Sequence, residues 1–342
     1  MARGKNNKET GLKDIAKSAG VSTMTASRAL RGIEGVSEKK RKEIQSVARK
    51  LGYRPNSNAR SLATTQSDLI GISIPTLFNN VFSEIIDGMR QTFQQAGYAS
   101  VIDTTEYDPK AELAWVERML SWRPAGLILT GTTHSSELQE ALKGTKVPII
   151  EIWDTTNTPI DTCVGIDHFS AGQRAADHAL SLGYKSPAFV GVPEGRDPRA
   201  DARLSGIQSR FALSQPGQSV HIARIMDRNN FVVGHSGTLD LFEQANPDII
   251  FYLNDHVAFG GMTACAKLSK SVPDNVGIFG FNSLDLAHVL EPSLTTIRTP
   301  RRMMGLTAAR NLLARIHGAK TERVTVLPVE LVEGQTTRLQ QS

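Results

Sequence analysis

Between Ser22 and Leu30 the chain sets Thr23, Met24, Thr25, Ser27 and Arg28 where a short helix would turn them outward. Hydroxyls, a thioether and a guanidinium on one face can bond to, or pack on, a partner. Ala26, Ala29 and Leu30 fall on the opposite, buried side, and Ser22 is placed to cap the helix by accepting from a free amide of its first turn. Just before it, Leu12, Ile15, Ala16 and Ala19 recur three to four residues apart, as on one face of another helix. Gly20 makes the turn between them and Val21 returns an apolar side chain to the crease. Helix, glycine turn and helix at this length form the unit that lays its second helix in the DNA major groove. An ordinary αα-hairpin satisfies the same apolar spacing, so charge must separate the two readings.

Residues 1–65 carry 15 Lys and Arg against 5 Asp and Glu, a net of +10, while the whole 342-residue chain is only +5. The remainder is therefore at −5. A basic head on a mildly acidic body is the electrostatic footprint of a polyanion-binding module. It coincides with the two-helix unit, which favours DNA reading over the hairpin.

The elements that must hold this unit follow in order. Ser37 caps a third helix over about residues 38–51, whose apolar face is Ile44, Val47, Ala48 and Leu51, with Gly52 at its stop. Three such helices can share one small core. Residues 56–63, NSNARSLA, form a weakly helical octet, marginal alone because helix nucleation is costly. From Asp68 onward, apolar runs at 69–75, 99–103, 126–130, 147–152, 188–192, 248–253 and 276–281 alternate with helix-like segments. Such runs are parallel strands covered on both faces. The fold class expected is a small all-α helix-turn-helix head followed by an α/β core of two doubly wound halves, with a ligand site beyond the carboxyl ends of the strands. Cys163 and Cys265 stand far apart among apolar neighbours and read as reduced, buried residues of a cytoplasmic protein. No apolar run is long enough to span a bilayer, and no apolar segment follows the basic N-terminus as in a secretory signal.

LKDIAKSAGVSTMTASRALRG (12–32), VSEKKRKEIQSVARKLGYRPN (36–56) and ARSLA (59–63) resemble the head of the lactose/galactose repressor family of bacterial transcription regulators. FSEIIDGM, IDHFSAGQRAADHALSLGY, RLSGI, LNDHVAFGGM, VGIFGFNS and PSLTTIRTP are similar to that family's core, in order, over essentially the whole chain. EIWD followed by PID looks most like repressors of gluconate and related sugar-acid genes. The resemblance implies a homodimer with a periplasmic-binding-protein-like core and no cofactor. It divides the chain into a DNA-binding domain at 1–55, a hinge helix and linker at 56–66, and an effector-binding and dimerisation core at 67–342. Within the core, one subdomain would comprise 67–165 with 297–326 and the other 166–296 with 327–342.

The resemblance also assigns roles. Thr23, Met24 and Arg28 match positions that read base edges of a pseudo-palindromic double-stranded operator. Arg28 can donate twice to guanine O6 and N7, and Met24 offers apolar contact to a thymine methyl. Ser22, Thr25, Ser27 and Asn56 match positions directed at the backbone, which set register without reading sequence. Ala59 and Leu62 belong to the hinge helix, Leu62 matching the leucine that wedges a central base step in the minor groove. In the core the resemblance selects Phe82, Trp153, Asp154, Arg203, Asn254, Asn282 and Arg301 as the effector cleft. Asn282 departs from the family, where many sugar-binding members carry Asp, and Arg301 stands where an aromatic or uncharged residue is common. Losing a carboxylate and gaining a guanidinium favour an anionic effector, a sugar acid of the gluconate or ketogluconate type. A neutral sugar or a purine is the alternative effector.

Two other classes of protein are set against this reading. Catalysis finds no support: there is no HExxH, no metal-spaced cysteines, no phosphate loop, and His168 and His178, ten residues apart, read as surface histidines. A solute-binding transport protein would share the core fold but would need a signal peptide and would not need the basic head. From the hinge assignment, Leu62→Ala is expected to weaken binding to the DNA upstream of the protein's own gene while leaving thermal stability nearly unchanged. Gel shift and thermal melts on the same preparations check this.

Overall fold

The computed structural model describes residues 10–53, 67–77 and 80–339, in two compact units that meet at Ser67 and Asp68. Asn56, Ala59 and Leu62 lie outside the described residues.

The head unit is three helices, α1 (Leu12–Ser18), α2 (Thr23–Arg31) and α3 (Glu38–Lys50). The expected caps are present: the Ser22 hydroxyl accepts from the Thr25 amide at 3.0 Å and Ser37 from the Lys40 amide at 3.4 Å. Gly20 sits at φ +62°, a left-handed conformation that side chains resist, so the tight turn between α1 and α2 depends on it. Ile15, Ala16, Ala19, Ala26, Ala29, Ile44 and Ala48 form the buried core. Leu51 is a correction, because it is 39% exposed and does not join that face. It is the C-cap of α3, past the last helical residue, so the helical period no longer directs its side chain. Tyr53 packs against the core instead.

In the second unit all seven apolar runs are strands: β1 (Leu69–Ile74), β2 (Ala99–Thr104), β3 (Gly126–Thr130), β4 (Ile149–Trp153), β6 (Pro187–Gly191), β8 (Ile249–Tyr252) and β9 (Gly277–Phe279). Five further strands escaped the sequence reading: β5 (Thr162–Gly165), β7 (His221–Arg224), β10 (Thr296–Arg298), β11 (Val324–Val326) and β12 (Glu330–Val332). Each has only three or four residues, and β7, β11 and β12 lie at sheet edges, where no continuous apolar run is needed. Six strands pair in parallel in the order β11-β5-β4-β3-β1-β2, and four more in the order β7-β6-β8-β9. The antiparallel pair β10–β12 joins the second sheet through bridges Phe279–Thr295 and Asn282–Arg298. The first sheet therefore draws on residues 69–165 and then takes its edge strand from 324–326.

Alternation along the strands explains how both faces are covered. Ile128 and Ile150 turn to one face, against α4 (Asn80–Gln95) and α12 (Arg301–Ile316). Leu127, Leu129 and Ile149 turn to the other, against α5 (Pro109–Ser121) and α6 (Ser136–Leu142). The second sheet is flanked by α7 (His168–Ser181), α8 (Pro198–Ser214), α9 (Asn230–Gln244) and α10 (Asp255–Lys267), and α11 (Asp285–Val289) follows β9. No helix among the described residues is long and apolar enough to cross a membrane.

One polar cluster interrupts the α5–α6 face. His134 is 3.1 Å from Glu112 through Nδ1 and 3.3 Å from Glu151 through Nε2, and its side chain is 2% exposed. The second Glu151 oxygen accepts from the Ile160 amide at 2.6 Å. Burial alone would lower the His134 pKa, but the two carboxylates raise it to about 9. The ring is thus charged in the fold and neutral above about pH 6.5 in the unfolded chain. Its contribution is complete below pH 6.5 and is lost as pH rises through 9. Melting temperatures recorded from pH 6 to 10 are expected to fall over that window. In His134→Ala the fall should flatten, on a chain already destabilised by about 3–5 kcal/mol because buried Glu151 loses its counter-charge.

Candidate functional site

Two surfaces carry the residues selected from the sequence. On the head, Ser22, Thr23, Met24 and Arg28 are exposed, while Thr25 and Ser27 are half-buried. Met24 leaves 69% of its surface in solvent, a high figure for an apolar side chain, which fits contact with a partner better than a role in the core. Ser22 and Thr25 hydroxyls lie 2.8 Å apart, so the cap also orients Thr25.

The core cleft is assembled where the two sheets end. Strand β4 delivers Trp153 at φ +82°, and the turn after β9 places Asn282 at φ +111°. Such backbone is strained for a residue with a side chain and persists only where surrounding packing enforces it. Phe82 on α4 lies against the Trp153 ring at 5.9 Å, Trp153 against His168 at 6.2 Å, and His168 against Phe281 at 5.9 Å. The Arg203 guanidinium sits 4.0 Å over the Phe281 ring. These contacts form one chain from the first sheet's helices to the second's.

Glycines let the helices come close enough for this. A Cβ on Gly172 of α7 would stand 2.0 Å from the Arg203 carbonyl oxygen, and one on Gly206 of α8 would stand 2.1 Å from that of Phe169. With α7 and α8 in backbone contact, Arg203 Nη1 reaches His168 Nδ1 at 2.9 Å and Nη2 donates to the Leu253 carbonyl at 2.8 Å. Because a guanidinium only donates, His168 Nδ1 must accept, and the ring proton is on Nε2. That nitrogen faces Asp154 Oδ1 at 3.3 Å. Burial, then the neighbouring Arg203 and Arg199, hold the His168 pKa well below its ordinary value, so the ring is neutral.

The charges around this ring are unequal in character. Burial raises the Asp154 carboxyl to about 6, against the pull of Arg199 and Arg203. Asp197 caps α8 by accepting from the Arg199 and Ala200 amides at 3.2 and 3.3 Å. Burial opposes its ionisation too, but Arg199 and Arg203 hold it at about 2. Burial brings Arg203 down to about 10.

Of the seven residues selected from the sequence, four gather here: Trp153, Asp154 and Arg203 lie against His168, and Phe82 lies against Trp153. Asn254 follows Leu253 and caps α10, its side-chain oxygen accepting from the Val257 amide at 3.0 Å. Asn282 keeps a buried side-chain oxygen without a partner among the described residues.

Arg301 is committed elsewhere. Nε and Nη2 donate to Glu84 at 3.0 and 2.7 Å, Nη2 also to the Ser283 carbonyl at 3.4 Å, and Nη1 to the Asn282 carbonyl and, at 3.3 Å, to Thr299. All five of its N–H groups are used, so in this arrangement it offers nothing to a ligand, contrary to the role expected for it. His168 is the second correction: it is buried at the centre of the cleft, and His178 is half-buried against the Phe279 ring.

Arg199 is the residue that sequence reasoning missed. Its Nε bonds Asp197 at 3.2 Å, its guanidinium lies 5.9 Å from the Tyr107 ring, and its side chain is 11% exposed. No hydrogen bond is seen from its Nη groups among the described residues. The signal was available, since Arg199 precedes Arg203 by four residues and shares its helix face.

Two families of known proteins match parts of the chain. Residues 11–56 match the bacterial regulatory proteins of the lacI family, and residues 176–337 match the periplasmic binding protein-like domain. The chain is 32% identical to the HTH-type transcriptional regulator GntR of Escherichia coli (strain K12), over 90% of this chain and 92% of that one. The chain belongs to the LacI family. A LacI-family transcriptional regulator from Silicibacter pomeroyi superposes with a TM-score of 0.86 at 31% identity, covering 96% of this chain and all of that one. The lac repressor dimer bound to operator and the anti-inducer ONPF gives 0.84 at 25% identity, covering 96% of this chain and 99% of that one. The protein is thus a DNA-binding transcription regulator and not an enzyme, with the helix-turn-helix head and α/β core of LacI-family regulators.

In this LacI-family core the α7–α8 crossing positions the cleft, and it is testable. Gly172→Val is expected to destabilise the core by about 1–3 kcal/mol, the usual range for overpacking, read as a lower denaturation midpoint.

Proposed function

We propose that the protein is a repressor whose affinity for a pseudo-palindromic operator is set by a small sugar acid bound between the two sheets of the core. Arg199 carries this reading. It stands one helical turn before Arg203, which is bonded to His168 and the Leu253 carbonyl, and its own Nη groups make no hydrogen bond among the described residues. Aromatic faces from Phe82 and Trp153 suit the apolar side of a sugar chain, and Asp154 suits its hydroxyls. A guanidinium beside them suits a carboxylate, which it can bind through two parallel hydrogen bonds. The anion-binding role first expected of Arg301 passes to Arg199.

Control follows from the division of the core. We assign 67–165 with 297–326 and 166–296 with 327–342 as two subdomains that an effector draws into one preferred arrangement. A ligand that binds that arrangement better shifts the population toward it, and with it the spacing of the two heads of a homodimer. The partly exposed Phe231, Leu286 and Val289, around a groove of about 440 Å³, support burial of that face in a homodimer.

Calorimetry with gluconate, 2-ketogluconate, glucose and a purine base tests the effector class. The sugar acids are expected to bind and the neutral sugar and purine not to. Affinity should also rise as pH falls from 7.5 to 5.5, by up to about tenfold for ~1.4 kcal/mol of lost repulsion. The sign follows from Asp154: its carboxyl, near 6, loses its negative charge over that interval while a sugar-acid carboxylate stays ionised. Binding of neutral sugars alone, or tighter anion binding at high pH, overturns the proposal.

A further inference from the structure

We propose that the first sheet carries a second ligand site, a phosphate-binding pocket at the end opposite the cleft. A cavity of about 330 Å³ is lined there by Ile160, Asp161, Thr162, Arg315, Thr321 and Arg323. Its volume falls at the small end of the range of small-molecule sites.

The two lining guanidiniums keep most of their donors free among the described residues. Asp161 is the one carboxylate. Its Oδ1 is taken by Arg315 Nη2 and its Oδ2 by the Ile149 amide at 3.3 Å. The Thr162 hydroxyl is directed to the Ile149 carbonyl at 3.5 Å. Against these, among the described residues the Arg323 side chain has a single hydrogen bond, from Nη2 to the Pro159 carbonyl at 3.3 Å, and that of Arg315 a single one to Asp161. The Thr321 hydroxyl is buried with no partner among the described residues. Two guanidiniums against one satisfied carboxylate leave a net positive charge, and the buried hydroxyl is unsatisfied. A ligand that completes this pocket must bring negative charge and several acceptor oxygens at once. A phosphate group does so, and can address Arg315 on α12 together with Thr321 and Arg323 on the following loop.

The position links the pocket to the cleft. Strand β5 begins in it at Thr162 and ends at Gly165, where a Cβ would strike the Asp154 backbone of the cleft. Four residues of strand span about 10 Å, so the two sites share one short rigid element. The phosphate group is that of a small molecule.

The test uses the full chain. Inorganic phosphate is titrated by calorimetry into the wild type, Thr321→Val, Arg323→Gln and Arg199→Gln. Phosphate should bind the wild type and Arg199→Gln alike, and the Thr321 and Arg323 variants at least about tenfold more weakly, the worth of a lost charge-assisted hydrogen bond. Their melting temperatures should match the wild type, because neither side chain anchors the fold. Equal binding by all four, loss in Arg199→Gln alone, or no binding by the wild type overturns the proposal.

Discussion

The hydrogen bond from Arg203 to a neutral His168 is the interaction on which the core cleft depends. It puts a guanidinium, an imidazole and the Asp154 carboxylate in line within a buried space, with the Phe281 ring under the cation. Isolated, a buried charge of this kind is costly. Here Asp197 and Asp154 offset it, the Leu253 carbonyl accepts a second N–H, and the ring below accepts the cation's face. The arrangement exists because α7 and α8 touch backbone to backbone at two glycines. A larger residue at either would move Arg203 away from the histidine and leave its charge buried without a partner.

The parts of the structure legible from sequence are those fixed by local periodicity. The three head helices, their serine caps at Ser22 and Ser37 and the glycine turn at Gly20 follow from a few neighbouring residues each. The seven strands with unbroken apolar runs are equally local, since burial on both faces demands such a run. What escaped depends on residues distant in the chain. Strand β5 is four residues long and is recognisable only through its neighbours β4 and β11. His168 and Arg203 are 35 residues apart and meet only because their helices cross. Arg301 looked like a ligand cation because its partners, Glu84 and two loop carbonyls, come from other segments. Its charge was read correctly and its neighbours could not be.

Electrostatics divide the molecule's labour. The head concentrates positive charge on exposed, flexible-tipped side chains, which suits reversible contact with a polyanion through many weak bonds. In the core some of the same residue types are buried in pairs and triads beside an opposite charge. Arg203 with Asp197, and His134 with Glu112 and Glu151, are of this second kind. Arg199 stands between the two regimes, paired on one edge and open on the other.

The full engagement of Arg301 has a mechanical consequence. Its side chain is bonded at once to α4, which lies on the first sheet, and to the turn that leaves the second sheet. Sliding one sheet away from the other would strip several hydrogen bonds from a buried cation. Rotation about an axis through the guanidinium moves those acceptors least, so Arg301 resists sliding more than turning. In such a turn displacements are smallest beside it and grow with distance along the cleft.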